Sequence, residues 1–429
     1  MARSSVLRSM PFWLLPLLVW GIIFNVVADH TWGYGLQTFL LLIGAGALLL
    51  LLPRLARSLD GSQSSPASWQ RYLLIALLIG LAGRTALEIR QGFVTRQEWL
   101  VDIGVNTYLA GSAFLEGANP YASHAQIVSE IAPGPNVEQR GDTLFMYGVP
   151  YRYGYPYYPA MFLGYLPWRA LADGFTSIRV GNLVFMMLNI AGIVLLARRL
   201  APNPIAPLLA AAAYLLVEAY PREIFEFGIV DIMISTAGLF AFLLLDRKKF
   251  LGAGILFGVA QACKLLPGPL LVLPALVYLY GREGFRPLLT GYLAASLGIV
   301  VPFLLWDPPS FLSATTLFYL THHAAGDDTA LWFFLPSSLQ TPFTLLGFLL
   351  TAAVSVVGLR GERSTGTLVV RSFVAYLVVI AFGKMSHLNY LWGVYPLGCI
   401  SLSYSWCLGA LVVKHLEPPR HKDTKKGNG

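Results

Sequence analysis

The sequence predicts an all-α polytopic membrane protein, and three observations lead to this fold class. Of the 429 residues, 56% are hydrophobic and only 12% are charged, against about 25% charged residues in an average soluble domain. The mean hydropathy is +0.62, and apolar runs that approach the ~20 residues of a membrane-spanning helix recur along the chain. These runs lack the two-residue alternation of membrane β-strands, so helices are expected to satisfy the backbone in lipid.

Apolar segments of the sequence predict helices that cross or enter the bilayer. They lie at about residues 11–28, 36–53, 72–90, 178–197, 204–220, 229–245, 251–264, 269–281, 288–305, 341–358, 370–384 and 390–412. The segments 251–264 and 269–281 are short and are separated by "KLLPGP", a pattern typical of broken or re-entrant helices. We therefore expect about 10 to 12 such helices in a single domain of residues 1–414, followed by a basic tail at 415–429.

The placement of basic residues predicts the orientation of the chain. Segments that share one side of the membrane contain these basic residues: Arg3, Arg8, Arg54, Arg57, Arg71, Arg198, Arg199, Arg247, Lys248, Lys249, Arg282, Arg286, Arg360, Arg363, Arg371, Lys414, Arg420, Lys422, Lys425 and Lys426. Cytoplasmic loops are enriched in Lys and Arg. We therefore expect an integral protein of a bacterial plasma membrane with both termini in the cytoplasm. The net charge of +8 reflects topology, and no nucleic-acid partner is expected.

A second set of ionisable side chains is predicted to gather on the opposite, periplasmic side, in outer loops at about 91–177 and 306–340 and in shorter turns. They are Asp102, Glu116, His124, Glu223, Glu226, Asp231, Lys264, His322, His323, Asp327, Asp328, Lys384 and His387. Transporters tend to place polar groups at the bilayer midplane between repeated halves. This pattern instead favours an enzyme at the outer leaflet, with a flippase of a lipid-linked substrate or a non-catalytic assembly subunit as alternatives.

The first outer loop contains "EWLVDIGVNTYLAGSAFLEGANPY", from Glu98 to Tyr121. Helical spacing over 97–116 predicts a short interfacial helix. A carboxylate at Asp102 has the chemistry of a general base for a hydroxyl nucleophile. The alternative is that it caps a helix or pairs with an arginine such as Arg96 or Arg152. Glu116 has the same chemistry but precedes a predicted turn. The tyrosines of "YRYGYPYYP" are expected to be headgroup-depth anchors, with sugar stacking as the alternative.

Two ionisable residues lie next to short apolar segments. Lys264 is expected near an outer helix end, either as a snorkelling anchor or as a ligand of a phosphate. Asp231 precedes an apolar run, so interaction with a helix N-terminus is its simplest role.

No metal or other cofactor is predicted. The cluster "THHAAGDD" contains His322, His323, Asp327 and Asp328, but it lacks the His spacing of a zinc site, so contacts to sugar hydroxyls or phosphate are favoured. The cysteines lie in apolar segments without metal-binding spacing, and we expect them to be small core residues.

The order of motifs resembles integral-membrane glycosyltransferases of the GT-C superfamily, most closely glycosyltransferase family 87, the polyprenyl-phosphate-mannose-dependent mannosyltransferases. The resemblance covers about residues 80–400. An outer acid is followed by "NTYLAGSAFLEGANPY" and "YGYPYYPAMFLGYLP". "GIVD" and "KLLP" then match a Gly-x-x-Asp helix and a Lys-x-x-Pro segment, and "FGKMSHLNYLWGVYPL" matches a late Lys…Asn-Tyr motif.

This resemblance implies a GT-C-like helical bundle and an enzyme that moves mannose, or another pentose or hexose, from a polyprenyl phosphate to a glycolipid or glycan hydroxyl. Asp102 would be the general base of an inverting transfer on the periplasmic face. The residues implied in substrate binding are Asn119, Tyr121, Asp231, Lys264, His322, Lys384 and His387. Among these, the two lysines and His387 would stabilise the leaving phosphate, and His322 would lie near the donor or the acceptor.

Overall fold

The structure is a computed structural model that describes most of the chain. The described residues are 14–29, 39–41, 43–46, 68–94, 100–122, 137–140, 143–146, 149–150, 154–201, 203–317, 331–357, 364–383 and 388–416. The predicted span at 36–53 therefore lies largely outside the described residues. The predicted basic tail also lies outside them, apart from its first two residues.

The described residues form mostly α-helices. The helices are α1 Leu14–Asp29, α2 Ser68–Val94, α3 Asp102–Leu115, α4 Pro159–Leu163, α5 Thr176–Leu200, α6 Ala206–Leu216, α7 Ala219–Phe225, α8 Ile232–Asp246, α9 Phe250–Gln261, α10 Pro267–Leu279, α11 Phe285–Trp306, α12 Pro308–Leu312, α13 Ser337–Val356, α14 Thr365–Phe382, α15 Leu388–Trp392 and α16 Tyr395–Leu416. Within this described part, five helices are long and apolar enough to cross a membrane, and six shorter apolar helices have 10–17 residues. The prediction of a polytopic helical membrane protein is confirmed.

Several predicted elements have the expected position but different ends. The short segments around "KLLPGP" are two separate helices, α9 and α10, as predicted. The predicted span 204–220 is instead divided between α6 and α7, and the last predicted span, 390–412, is divided between α15 and α16. The predicted interfacial helix at 97–116 is α3, whose Ile103 and Leu109 are buried.

A small antiparallel sheet lies within the first long loop, between α3 and α4. Its strands are β1 Val137–Arg140, β2 Thr143–Met146 and β3 Val149–Pro150, in the order β1-β2-β3. The register pairs Val137 with Met146 and Phe145 with Pro150. The sequence reading missed these strands, because they are too short for a period-two pattern to stand out.

The helices pack both against neighbours in sequence, such as α8 on α9, and against helices further along the chain, such as α5 on α8. The closest pair is α9 and α11, where a side chain at Gly254 or Gly258 would collide with the carbonyl oxygens of Leu288 and Tyr292. Small residues permit such close approach of helices in a membrane. Large apolar side chains on α2, α11 and α13 are exposed, and these faces are therefore suited to lipid.

Connections at one end of the bundle bring distant parts of the sequence together. We call it the loop end and define it by the connections containing residues 100–122, 154–175, 217–231 and 262–266. The opposite end contains the turns 201–205 and 247–249. All three cysteines are buried and free, in agreement with their predicted role in the core.

Candidate functional site

The helix α3 begins with Asp102 at the loop end. The preceding residue, Val101, donates its backbone N–H to the carbonyl of Phe227 over 2.9 Å. A Cβ atom at Gly104 would lie 2.8 Å from the carbonyl oxygen of Gly228, which has a φ of +73°. The close approach of the two backbones therefore requires Gly104, and the left-handed backbone conformation favours glycine at position 228. This approach places the start of α3 directly beside the connection that leads to Asp231.

Buried polar side chains of α5 hold the other side of this connection. The Arg179 guanidinium donates to the carbonyl of Phe225 over 2.8 Å, and the Asn182 amide donates to the carbonyl of Ile224 over 2.7 Å. Both side chains are fully buried. They satisfy carbonyls at the end of α7 that otherwise have no partner within the helix. Sequence reasoning missed both residues, although two polar residues within an apolar span were a usable signal.

Asp231 and Lys264 form a buried ion pair at the loop end. Asp231 lies at the N-cap position of α8, as its place in the sequence predicted, but its side chain makes no capping hydrogen bond. Lys264 lies in the turn between α9 and α10. Lys264 Nζ lies 2.6 Å from Asp231 Oδ1, and the two side chains are 3% and 1% exposed. The second oxygen of Asp231, Oδ2, has no hydrogen-bond partner among the described residues.

Two tyrosine rings enclose the ammonium group of this pair. Lys264 Nζ lies 4.9 Å from the ring centroid of Tyr157 and 4.4 Å from that of Tyr390, which are distances of cation–π interactions. Lys264 is thus not the snorkelling anchor that its place in the sequence suggested, because its charge is turned into the protein. The ion pair brings together the Gly-x-x-Asp, Lys-x-x-Pro and Asn-Tyr motifs.

The Asn-Pro-Tyr turn is joined to the same cluster. Asn119 Oδ1 accepts a hydrogen bond from the backbone N–H of Tyr121 over 3.0 Å, and the Tyr121 hydroxyl donates to the carbonyl of Tyr157 over 3.0 Å. The ring of Tyr121 packs at 4.7 Å on that of Phe311. Burial raises the pKa of the Tyr121 phenol well above its usual range, so the phenol stays a hydrogen-bond donor.

The described tyrosines of "YRYGYPYYP" are not headgroup anchors, in contrast to the prediction, and Tyr151 and Tyr153 lie outside the described residues. Tyr155 and Tyr157 are buried and Tyr158 is half-buried. The backbone N–H of Tyr158 donates to the carbonyl of Cys263 over 3.0 Å, so the segment is folded onto the turn that carries Lys264. Tyr155 and Tyr157 serve as packing residues inside the protein.

Several other predicted site residues lie wholly or partly outside the described part of the chain. His322, Lys384 and His387 lie outside the described residues, as do His323, Asp327 and Asp328 of the predicted polar cluster. For Asp102 the structure describes the backbone, at the start of α3, but not the side chain. The described flanks of residues 384–387 are the end of α14 and the start of α15, the helix that contains Tyr390. Among the described residues, no group of three His, Cys, Asp or Glu side chains is arranged to hold a metal ion.

Two further acids lie near the loop end. Glu116 is exposed at the C-terminal end of α3. Glu223 is half-buried on α7, and burial, which outweighs the opposing effect of Arg222, raises its pKa to about 7; the negative charge of Glu226 raises it further. The sequence placed Glu223 on this side but gave no sign of its altered protonation.

Comparisons with known proteins agree with the resemblance seen in the motifs. The model of Glycosyltransferase family 87 matches residues 155–391, which are more than half of the chain. Asp102, Asn119 and Tyr121 precede the matched region. No curated protein sequence matches the chain.

One solved structure is similar to this chain: ArnT from Cupriavidus metallidurans bound to undecaprenyl phosphate. The sequence identity is 16% and the TM-score is 0.43, over 79% of this chain and 60% of that one. The chain therefore spans less than two thirds of the length of that protein.

Proposed function

Because the chain belongs to glycosyltransferase family 87, we propose that it transfers a sugar from a polyprenyl phosphate to a hydroxyl group of a lipid or glycan acceptor. The sugar is mannose, another hexose or a pentose. The reaction takes place at the periplasmic face of the plasma membrane, within one domain formed by residues 1–414. Membrane lipids surround this domain and present the donor, and no nucleic acid takes part.

In the proposed reaction Asp102 is the general base. It accepts the proton of the acceptor hydroxyl while the hydroxyl oxygen attacks the anomeric carbon from the side opposite to the phosphate. The bond between this carbon and the phosphate oxygen breaks, and its electron pair leaves with the polyprenyl phosphate. The new glycosidic bond therefore has the inverted configuration. Lipid phosphate is a usable leaving group, so the proposal includes no metal ion.

One observation supports this proposal above all: segments that carry the predicted motifs converge at the loop end. The connection 226–231 contacts Val101 through its Phe227 carbonyl and contacts Lys264 through Asp231. The start of α3 therefore lies next to a region that the family model matches. An acid at the first position of this helix adjoins the place where three other motifs meet.

The leaving phosphate needs positive charge, and we assign this task to Lys384 and His387. The charge of Lys264 is already compensated by Asp231, so it contributes little to an anion that arrives later. Preorganised charges at the position where negative charge develops are a major source of rate enhancement. We assign Asn119 and Tyr121 to the acceptor side of the site, and His322 to a contact with the donor or the acceptor.

The test is a transfer assay with the full-length protein in lipid nanodiscs. Radiolabelled polyprenyl-phosphate sugars and a membrane-lipid extract are supplied to the wild type, to Asp102→Asn and to Glu116→Gln as a matched control. We expect transfer by the wild type and the control, and a loss of about 100-fold or more in Asp102→Asn. The apparent melting temperature and donor binding of each variant show whether it is folded.

The possible results separate the parts of this proposal. If a folded Asp102→Asn variant retains transfer, the enzyme class stands and the base is another acid. If the wild type transfers no sugar from any donor, the choice of polyprenyl-phosphate donor is wrong.

A further inference from the structure

We propose that Asp231 and Lys264 form a positioning pair that holds the substrate-binding loops together, and that Lys264 does not itself contact the donor phosphate. This inference rests on the proposed function and deepens it, because it assigns a role to the lysine of the Lys-x-x-Pro motif. The pair joins the start of α8 to the turn between α9 and α10.

The burial of both charges is the first argument. The two side chains are 3% and 1% exposed, with 2.6 Å between Nζ and Oδ1. Two opposite charges removed from water compensate each other, and loss of one partner leaves the other uncompensated. A phosphate that took Lys264 away from Asp231 would leave such a carboxylate behind. The site therefore gains little by using this lysine as a phosphate ligand.

The aromatic surroundings of the lysine are the second argument. Its ammonium lies against Tyr157 from the first long loop and Tyr390 from α15. Tyr157 in turn accepts, through its carbonyl oxygen, the hydrogen bond of the Tyr121 hydroxyl. A single side chain thus contacts two segments that contain or follow proposed substrate-binding residues. The first long loop contains Tyr121, and α15 follows Lys384 and His387 in the sequence.

Backbone contacts of the turn that carries Lys264 are the third argument. The carbonyls of Ala262 and Cys263 accept hydrogen bonds from the N–H groups of Ala160 and Tyr158 over 2.9 and 3.0 Å. Two residues of this turn thus fasten the first long loop, and the next residue, Lys264, packs on it. An architecture of this kind fits a fixed support better than a side chain that must move to meet its ligand.

The contacts of Asp231 complete the connection. The Cβ atom of Asp231 lies 3.5 Å from the position of a Cβ atom at Gly393, immediately after α15. Asp231 also ends the connection whose Phe227 carbonyl accepts the N–H of Val101. Through this connection the pair reaches the start of α3 and Asp102. Loss of one partner is therefore expected to disturb the start of α3 and, with it, the position of the base.

The experiment is a double-mutant cycle with Asp231→Asn, Lys264→Met and the double variant, in full-length protein in nanodiscs. A matched cycle at the opposite end of α8 uses Asp246→Asn and Arg199→Met. Apparent melting temperature, kcat and the donor KM are measured for each variant. For a positioning pair, each single variant at the loop end melts earlier and loses about 100-fold in kcat, the size of effect that a small misplacement of reacting groups produces.

The double variant carries the decisive result. It removes both charges, so we expect its melting temperature to return towards that of the wild type and kcat to recover at least about tenfold over Lys264→Met. The donor KM should stay near that of the wild type. The matched cycle at the opposite end should show little coupling.

Three outcomes would overturn the inference. A double variant that melts like the wild type but has a greatly raised donor KM would mean that Lys264 contacts the phosphate. Single variants that keep the wild-type melting temperature and kcat would mean that the pair positions nothing. If the wild type transfers no sugar, the proposed function has failed; the melting cycle then decides about the pair by itself, and a lack of coupling rejects it.

Discussion

The two ends of α8 carry ion pairs of equal length in opposite surroundings. At the N-terminal end, Lys264 Nζ and Asp231 Oδ1 lie 2.6 Å apart with side chains that are 3% and 1% exposed. At the C-terminal end, Arg199 Nε and Asp246 Oδ2 also lie 2.6 Å apart, but the side chains are 43% and 21% exposed. The buried pair is at the loop end and the exposed pair is at the end predicted to face the cytoplasm.

The comparison shows that the distance between two charged groups does not by itself determine how much an ion pair contributes to stability. Water screens the exposed pair, and each of its members loses little when the other is removed. The buried pair has no such compensation, so the surrounding loops must keep its geometry. We therefore expect the loop end of the bundle to be the rigid end, although it consists largely of irregular connections.

The largest expected effect is that of Asp231→Ala. The substitution leaves the ammonium of Lys264 buried between two tyrosine rings without its carboxylate, which costs about 3–5 kcal/mol of stability. The apparent melting temperature in nanodiscs, measured with Asp246→Ala as the control, checks this. If both variants melt at the same temperature, the burial of the loop-end pair has no energetic consequence and the comparison fails.

The next effect concerns the support of the connection between α7 and α8. Arg179→Met leaves the carbonyl of Phe225 without its donor, at a cost of about 1–3 kcal/mol. The start of α3 is bonded to the same connection, so kcat should fall as well. Arg198→Met, at the exposed end of the same helix, is the matched control. Wild-type melting and transfer in Arg179→Met would show that this arginine gives the loop end no support.

The sequence identified individual residues of the loop end better than it predicted the contacts between them. Asp231 and Lys264 were selected separately, as a helix-start acid and as an ionisable residue between short apolar segments. Their pairing depends on the packing of α8 against α9, which no local pattern contains. Family motifs named the same two residues but did not say whether they bind a ligand or each other.

Other parts of the loop end were predicted less well for physical reasons. An aromatic-rich loop suggested headgroup anchors, because tyrosine is common at membrane interfaces, yet Tyr155 and Tyr157 are buried by contacts with distant segments. Arg179 could have been singled out as a polar residue within an apolar span, but it was passed over because a cation near the end of such a span is usually solvated. Helix positions followed from hydropathy alone, since each apolar segment must be helical in lipid.

A smaller effect, dependent on pH, is expected at Glu223. Its pKa is raised to about 7 from 4.5, mainly by burial, so the folded protein holds this proton more tightly than the unfolded chain does. Raising the pH from about 4.5 through about 7 therefore removes stability. The nearby charges are Arg222 and Glu226 on or beside α7, with Arg84 and Glu88 on the adjoining helix α2.

Glu223→Gln should remove this part of the pH dependence. Relative to the wild type, the variant should gain melting temperature between pH 5 and pH 8, and Glu218→Gln, at the exposed start of α7, should follow the wild type. Parallel melting curves of the wild type and Glu223→Gln over this range would show that Glu223 does not titrate there. Any pH dependence of the wild-type melting temperature in this range would then come from other acids of the loop end.

The smallest effect is expected at the exposed pair itself. Arg199→Ala and Asp246→Ala should each cost no more than about 1 kcal/mol, because water replaces the lost partner, and 0.5 M NaCl should reduce even this difference. Sugar transfer should stay at the wild-type level, since the pair lies at the end of α8 opposite to Asp231. A loss as large as that of Asp231→Ala, or a clear loss of transfer, would mean that both ends of α8 are held equally firmly and that burial is not what distinguishes them.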